Sequence, residues 1–343
     1  MEQHVMNDRK HILIINTGGT IGMTKSEEGY KPDAENFSRL LHRMDALMAL
    51  EMPLWDITRT EEILDSSNMT VEDWNDIGRC IADVYDDYDG FVILHGTDTM
   101  AYTASALSFM LEGLSKPVII TGSQIPLCEI RSDGRDNIIA SLLIAASGRV
   151  NEVCIYFGNR LLRGNRAIKY SADGLIAFVS PNFPTLAEAG ITISYNDVYL
   201  RNRHEGEFRY VPFKNIPIGV IKVFPGIQFE LFEAIMTEQL KGVVLETFGA
   251  GNIPQQGGGK LLPIIEKAYR NGTVLTVCSQ CPQGTVSLGT YETSSALKKV
   301  GAVSGKDMTT EAAVAKLYYL FSKGYDKEKI KTLMGQDMRG EMS

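Results

Sequence analysis

Along the 343 residues, short, largely apolar runs alternate with longer segments in which apolar residues recur every three or four positions. Seven of the runs predict buried strands: 12–15 (ILII), 91–94 (FVIL), 118–120 (VII), 153–157 (VCIYF), 218–223 (IGVIKV), 243–245 (VVL) and 273–277 (TVLTV). Runs this short and this apolar suit strands covered on both faces. Between them the spacing predicts helices, among others at 70–84, 100–114, 137–146, 231–240 and 261–269. Strand, loop and helix in alternation imply parallel sheets, because parallel neighbours need a crossover connection. The polar stretch 201–216 (RNRHEGEFRYVPFKNI) separates two such sets. Two parallel-sheet α/β domains are therefore expected: a larger one over 1–200, a linker over 201–216 and a smaller one over 217–343, each of ordinary domain size.

Charge narrows the partners. With 34 Lys+Arg against 42 Asp+Glu, the formal charge of −8 argues against nucleic acid or an anionic membrane and favours a small molecule. The start, MEQHVMNDRKHILIINTGG, offers a four-residue apolar run where a secretory signal needs about 7–15, so no targeting to a membrane or secretory route is expected. Five cysteines, an odd number scattered through the chain, fit a reducing compartment and a cytoplasmic location.

In open parallel sheets, ligands bind beyond the carboxyl ends of the strands. Three strand ends carry small hydroxyl or acidic residues: T-G-G-T-I-G (17–22), H-G-T-D-T (95–99) and T-G-S-Q (121–124). If those strands are neighbours, Thr20, Thr97, Asp98 and Ser123 meet at one edge. The glycines of the first motif fit neither a P-loop nor a dinucleotide fingerprint, and alone they read as a strand-ending turn. Thr97 or Asp98 alone could be a helix N-cap; beside Thr20, Asp98 could hold the ammonium group of an amino acid. Thr70 with Asp73 reads as a capping box. Lys169, in R-G-N-R-A-I-K, is either a solvated surface residue or, if buried, a base that activates a hydroxyl. Cys278 and Cys281 have C-x-x-C spacing, but no second pair and no ligand-spaced histidines accompany them, so no metal site is expected and packing or a small-ligand contact is favoured. His95 beside the strand end is explained as well by turn packing as by catalysis.

Taken in order, T-G-G-T-I-G (17–22), D-S-S-N-M-T (65–70), D-G-F-V-I-L-H-G-T-D-T-M (89–100), T-G-S-Q-I-P (121–126), R-G-N-R-A-I-K (163–169) and G-A-G-N (249–252) make the chain resemble the bacterial-type L-asparaginases, most closely their cytoplasmic type I branch. The resemblance runs from about residue 10 to the C-terminus. It implies a larger N-terminal catalytic domain and a smaller, flavodoxin-like C-terminal one. It implies hydrolysis of L-asparagine to L-aspartate and ammonia, with Thr20 attacking the side-chain amide carbon to form an acyl-threonine ester. Tyr30 would take or relay the Thr20 proton. Thr97, Asp98 and Lys169 would position and activate the water that hydrolyses the ester. Asp98 would bind the α-ammonium, and Ser66, flanked by Asp65 and Ser67, the α-carboxylate. Backbone N–H groups at Thr97 and Ser123 would stabilise the oxyanion, and Asn252 would reach the site from a neighbouring subunit of a homodimer or homotetramer. No cofactor or metal is implied.

Two positions depart from the type I pattern. Where regulated members carry an arginine before G-x-G-N, this chain has Glu246, although Cys281 matches another residue of that regulatory site; and Ile168 replaces a frequent threonine before the lysine. Regulation by asparagine is therefore not expected. Alternatives remain open: a dual asparaginase/glutaminase, the ammonia-generating subunit of a tRNA-dependent amidotransferase, or an amino-acid sensor that has lost the chemistry.

Overall fold

The structure, a computed structural model, describes residues 9–27, 29–254, 261–289 and 292–343. The first eight residues, which belong to the stretch read for targeting, lie outside that range. The described residues form two compact units, one ending at Pro212 and the other running from Phe213 to Ser343.

In the first unit the order is β1 (His11–Gly18), β2 (Met23–Ser26), β3 (Gly29–Pro32), α1 (Ala34–His42), β4 (Leu54–Leu64), α2 (Val71–Ala82), β5 (Gly90–Leu94), α3 (Met100–Met110), β6 (Leu111–Glu112), β7 (Val118–Thr121), α4 (Gly134–Ala146), β8 (Val153–Phe157) and β9 (Arg160–Arg163). Short pairs follow: β10 (Ile168–Lys169), β11 (Phe178–Val179), β12 (Ala187–Ala189), β13 (Ile193–Tyr195) and β14 (Arg209–Tyr210). Eight strands form one sheet in the order β13-β12-β9-β8-β7-β5-β1-β4. From β4 to β8 neighbouring strands run parallel; β9, β12 and β13 extend the sheet antiparallel. The three strands whose ends carry the hydroxyl motifs, β7, β5 and β1, are thus adjacent. Their side chains are buried on both faces, as at Ile12, Leu13, Ile14 and Ile15, which explains the unbroken apolar runs. Helix α3 is apolar almost all round and is buried accordingly.

The long strand β4 does not announce itself as an apolar run. It is an edge strand paired only to β1, and its polar positions (Thr58, Arg59, Glu61, Glu62) stay open to solvent while Trp55 and Ile57 pack on the core. Residues 201–212, read as linker, pack onto this unit: β14 pairs with β6, and the Phe208 ring stacks on Tyr85 at 3.7 Å. The polar patterning of the stretch conceals these aromatic anchors.

The second unit holds β15 (Ile218–Lys222), β16 (Gly242–Thr247), α5 (Leu261–Arg270), β17 (Val274–Ser279), α6 (Glu292–Lys299), β18 (Val303–Ser304), α7 (Thr310–Ser322) and α8 (Lys327–Met334), with a parallel sheet in the order β15-β16-β17-β18. Its core is built from Val243, Leu245, Leu275 and Val277 under Ile264, Ile265 and Leu297. The segment 231–240 is not an α-helix: a tight turn at Phe229–Phe232 leads into a wide one at Ile235–Gln239, closed by Leu240 N–H donating to the Ile235 carbonyl at 3.1 Å. The Thr237 hydroxyl, donating to the Glu233 carbonyl at 2.8 Å, competes there for a helical acceptor.

Candidate active site

The site is assembled by close approach of three chain segments beyond the sheet's carboxyl edge. Gly18 and Gly19 have φ of 113° and 85°, and a Cβ on them would lie 2.2 Å from the Leu64 carbonyl oxygen and 2.4 Å from Gly96 Cα. Only glycine permits that backbone and that proximity. A Cβ on Gly96 would in turn fall 2.4 Å from Ser66 Oγ. The turns at 18–20, 64–66 and 95–97 therefore nest against one another. The Thr99 hydroxyl, donating to the Ser66 carbonyl at 2.8 Å, ties two of them together.

Thr17 and Thr20 separate cleanly in this arrangement. Thr17 is buried, with its hydroxyl donating to the Leu94 carbonyl at 3.0 Å. Thr20 opens a short turn and lines a pocket of about 230 Å³. Sharing that pocket are Asp65, Ser66, Gly96, Thr97, Asp98 and Lys169, together with Gly19, Met23, Gln124 and Ala172. Lys169 stands on β10 and is largely shielded; its ammonium donates to Thr97 Oγ1 at 2.8 Å and to Asp98 Oδ1 at 2.6 Å. One cation thus holds a hydroxyl and a carboxylate on the pocket wall, leaving the other Asp98 oxygen for a cationic group.

Behind the wall lies His95, fully buried. A backbone carbonyl can only accept, so the 2.7 Å contact to the Gly96 oxygen places a proton on Nδ1. Nε2 then accepts from the Thr103 hydroxyl at 2.9 Å, and Thr103 in turn accepts from Trp74 Nε1–H at 3.1 Å. Burial pushes the imidazole pKa down to about 4, against the smaller opposing effect of its bond to Gly96. His95 is a neutral brace for the 95–97 turn, with no face on the pocket.

Other expected residues lie elsewhere. Tyr30 sits on β3 of a hairpin with β2, half exposed, and its hydroxyl donates to Glu129 Oε1 at 2.8 Å; this bond holds its pKa above the ordinary phenol value. It is not among the residues that line the pocket. Ser67 is outside the lining as well, and its N–H donates to Asp65 Oδ1 at 3.0 Å. Ser123 is buried, with its hydroxyl donating to the Ile125 carbonyl at 2.6 Å, and also lies outside the lining. Asn252 and Cys281 belong to the second unit: Asn252 N–H donates to the Phe248 carbonyl at 2.8 Å, and Cys281 is exposed with its N–H on Ser279 Oγ at 3.0 Å. Burial pushes the Cys278 thiol up to about 12, which leaves it without thiolate character at neutral pH. The motifs point to no role for Gln124, Met23 or Ala172, which also line the pocket; of the three, only Gln124 carries a signal in the sequence, at the close of the T-G-S-Q strand end. Among the described residues no group of three or more His, Cys, Asp and Glu could hold a metal ion.

A family model described as "Asparaginase, N-terminal" matches residues 11–201, and one described as "Glutaminase/Asparaginase C-terminal domain" matches residues 217–334. The chain belongs to the asparaginase family. It is 47% identical over 335 residues to L-asparaginase 1 of Escherichia coli strain K12, with 98% of each chain covered. Among solved structures, it is similar to L-asparaginase I from Vibrio cholerae, with a TM-score of 0.91 and 48% identity over 98% of this chain and 99% of that one. The thermostable L-asparaginase from Thermococcus kodakarensis follows, with a TM-score of 0.87 and 32% identity over 97% and 99%. No helix among the described residues of this asparaginase is long and apolar enough to cross a membrane.

Proposed function

We propose that this asparaginase is an L-asparagine amidohydrolase that works through a covalent acyl-threonine intermediate, in the cytoplasm, as a homodimer or homotetramer. The observation that carries the reading is the common pocket lined by Thr20 from the end of β1, by Thr97 and Asp98 from the end of β5, and by Lys169 of β10, which binds both of the latter. Thr20 Oγ attacks the side-chain amide carbon of asparagine; the C–O bond forms, the C–N bond breaks, and the hydroxyl proton passes to the departing nitrogen as ammonia leaves. Tyr30 relays that proton, which requires its hairpin to leave Glu129 and turn over the pocket. Water then attacks the ester carbon, positioned by Thr97, and its proton returns to Thr20 Oγ as aspartate departs. Fixed geometry supplies much of the acceleration, since a threonine hydroxyl is a poor nucleophile unaided.

The recognition roles follow the same logic. Asp98 takes the α-ammonium, and the 65–67 turn takes the α-carboxylate through Ser66 and its backbone, with Asp65 and Ser67 shaping the turn. Backbone N–H groups at Thr97 and Ser123 stabilise the oxyanion. Asn252 completes the site from a neighbouring subunit, which makes a dimer the smallest working unit. The five free cysteines support a reducing, cytoplasmic setting. Glutamine is the competing substrate, because one methylene is worth only about 1–3 kcal/mol of discrimination.

The test is ammonia release with asparagine and glutamine side by side, repeated for Thr20→Ala and Lys169→Met. Asparagine is the faster substrate, and both variants lose steady-state turnover while keeping the native circular-dichroism spectrum. Wild-type rates in either variant would overturn the reading.

A further inference from the structure

Gln124 lines the pocket beside Thr97, and the chemistry of its neighbours fixes which way its amide points. Its Nε2 donates to the carbonyls of Ala172 at 3.1 Å and Gly174 at 3.2 Å. Carbonyl oxygens only accept, so the amide nitrogen must face them and Oε1 must face the pocket. There, 3.3 Å away, is Thr97 Oγ1. An amide oxygen cannot donate, so Thr97 is the donor. The distance is long for a hydroxyl bond, as catalytic hydrogen bonds are before substrate tightens the site.

The backbone of Gln124 is held as firmly. Its N–H lies 3.1 Å from each carboxylate oxygen of Asp133, and the next N–H, of Ile125, donates to the same group at 3.0 Å. Both ends of the residue are anchored, and the amide oxygen is aimed from a fixed platform.

A hydroxyl has one proton and two lone pairs. On Thr97 the proton points to Gln124 and one lone pair takes the Lys169 ammonium. One lone pair remains for the pocket. We propose that Gln124 is a positioning residue that holds the Thr97 proton out of the pocket, so that Thr97 meets the attacking water only as an acceptor. A water that donates to Thr97 turns an oxygen lone pair toward the ester carbon. Were the proton free to rotate inward, Thr97 would donate to that water instead and occupy the lone pair needed for attack. The step affected is hydrolysis of the acyl-threonine, so the proposal rests on the reading given above.

The experiment compares Gln124→Met, which removes the acceptor at similar size, with Gln124→Glu, whose carbonyl oxygen still accepts from Thr97 while its protonated oxygen donates to the Ala172 or Gly174 carbonyl. Rapid-quench mixing with asparagine follows ammonia, aspartate and, by mass spectrometry of the acid-quenched chain, an aspartyl group on Thr20. Gln124→Met is expected to release one equivalent of ammonia per site in a burst, accumulate the Thr20 adduct and then turn over about tenfold or more below wild type. Gln124→Glu is expected to show neither burst nor adduct. Should Gln124→Met fail to fold, Gln124→Ala takes its place with the same expectations. Lys169→Met, which blocks ester hydrolysis, is the control. Adduct in Lys169→Met but none in Gln124→Met, or equal adduct in Gln124→Glu and Gln124→Met, overturns the role of Gln124 alone. No adduct in any variant overturns the acyl-threonine reading and this inference with it.

Discussion

Lowering the pH from 7 to 5 should destabilise the folded chain through His95 in particular. In the native state the imidazole is buried, neutral and committed at both nitrogens, with its pKa pushed down to about 4 by loss of hydration. In the unfolded chain it returns to about 6.5. Between those values the unfolded chain binds more protons, so stability rises with pH through the window and is lost as pH falls from about 6.5 to about 4. Above and below the window this residue contributes no slope. The full span, about 2.5 units at about 1.4 kcal/mol each, is worth about 3 kcal/mol, and the part between pH 7 and pH 5 is about 2 kcal/mol. Urea unfolding at the two pH values isolates it when wild type is compared with His95→Asn, whose amide can still donate to the Gly96 carbonyl but cannot titrate. The variant starts lower at pH 7, because the Thr103 hydroxyl loses its acceptor, yet it lacks the His95 share of the pH slope. NMR of the ring protons gives a second view, with His95 neutral down to about pH 4. Equal losses in wild type and variant, or a ring that titrates near 6.5, would refute the reasoning.

Gly19→Ala forces a left-handed backbone on a residue with a Cβ and drives that carbon to 2.4 Å from Gly96 Cα, so kcat falls by about tenfold or more and stability by about 1–3 kcal/mol, measured by ammonia release and urea unfolding; unchanged kcat would show that the nested turns tolerate displacement. Glu341→Ala leaves the fully buried Lys316 ammonium without the carboxylate 2.5 Å away and lowers stability by about 3–5 kcal/mol, while a change below about 1 kcal/mol would mean that water reaches the lysine. Rate against asparagine concentration should be hyperbolic. The expectation rests on Glu246 standing where regulated members of the family carry an arginine, and its carboxylate accepts from the Thr310 hydroxyl at 2.6 Å; a sigmoidal curve would overturn it.

All seven runs are strands, although β15 lies at a sheet edge with only Ile221 buried and Val220 and Lys222 exposed, and the helices at 70–84, 100–114, 137–146 and 261–269 are present with shifts of a few residues at their ends. These features are legible in sequence because strands buried on both faces leave no room for polar residues, and amphipathic helices repeat their apolar face every turn. Edge strand β4 and the aromatic anchors of 201–212 are not legible, since each is buried on one side only and its polar positions dominate the pattern. The motifs determined which residue types were on offer at the strand ends. Tertiary structure decided which of them meet: strand order makes β7, β5 and β1 neighbours, positive-φ glycines let three turns nest, and Thr17 is spent on the Leu94 carbonyl while Thr20 lines one pocket with Thr97, Asp98 and Lys169. It also turned Tyr30 toward Glu129 and Ser123 toward Ile125, and it brought in Gln124, whose task depends on two carbonyls some fifty residues further along. A sequence specifies side chains one at a time. The direction of a hydroxyl proton is set by every donor and acceptor that folding gathers around it.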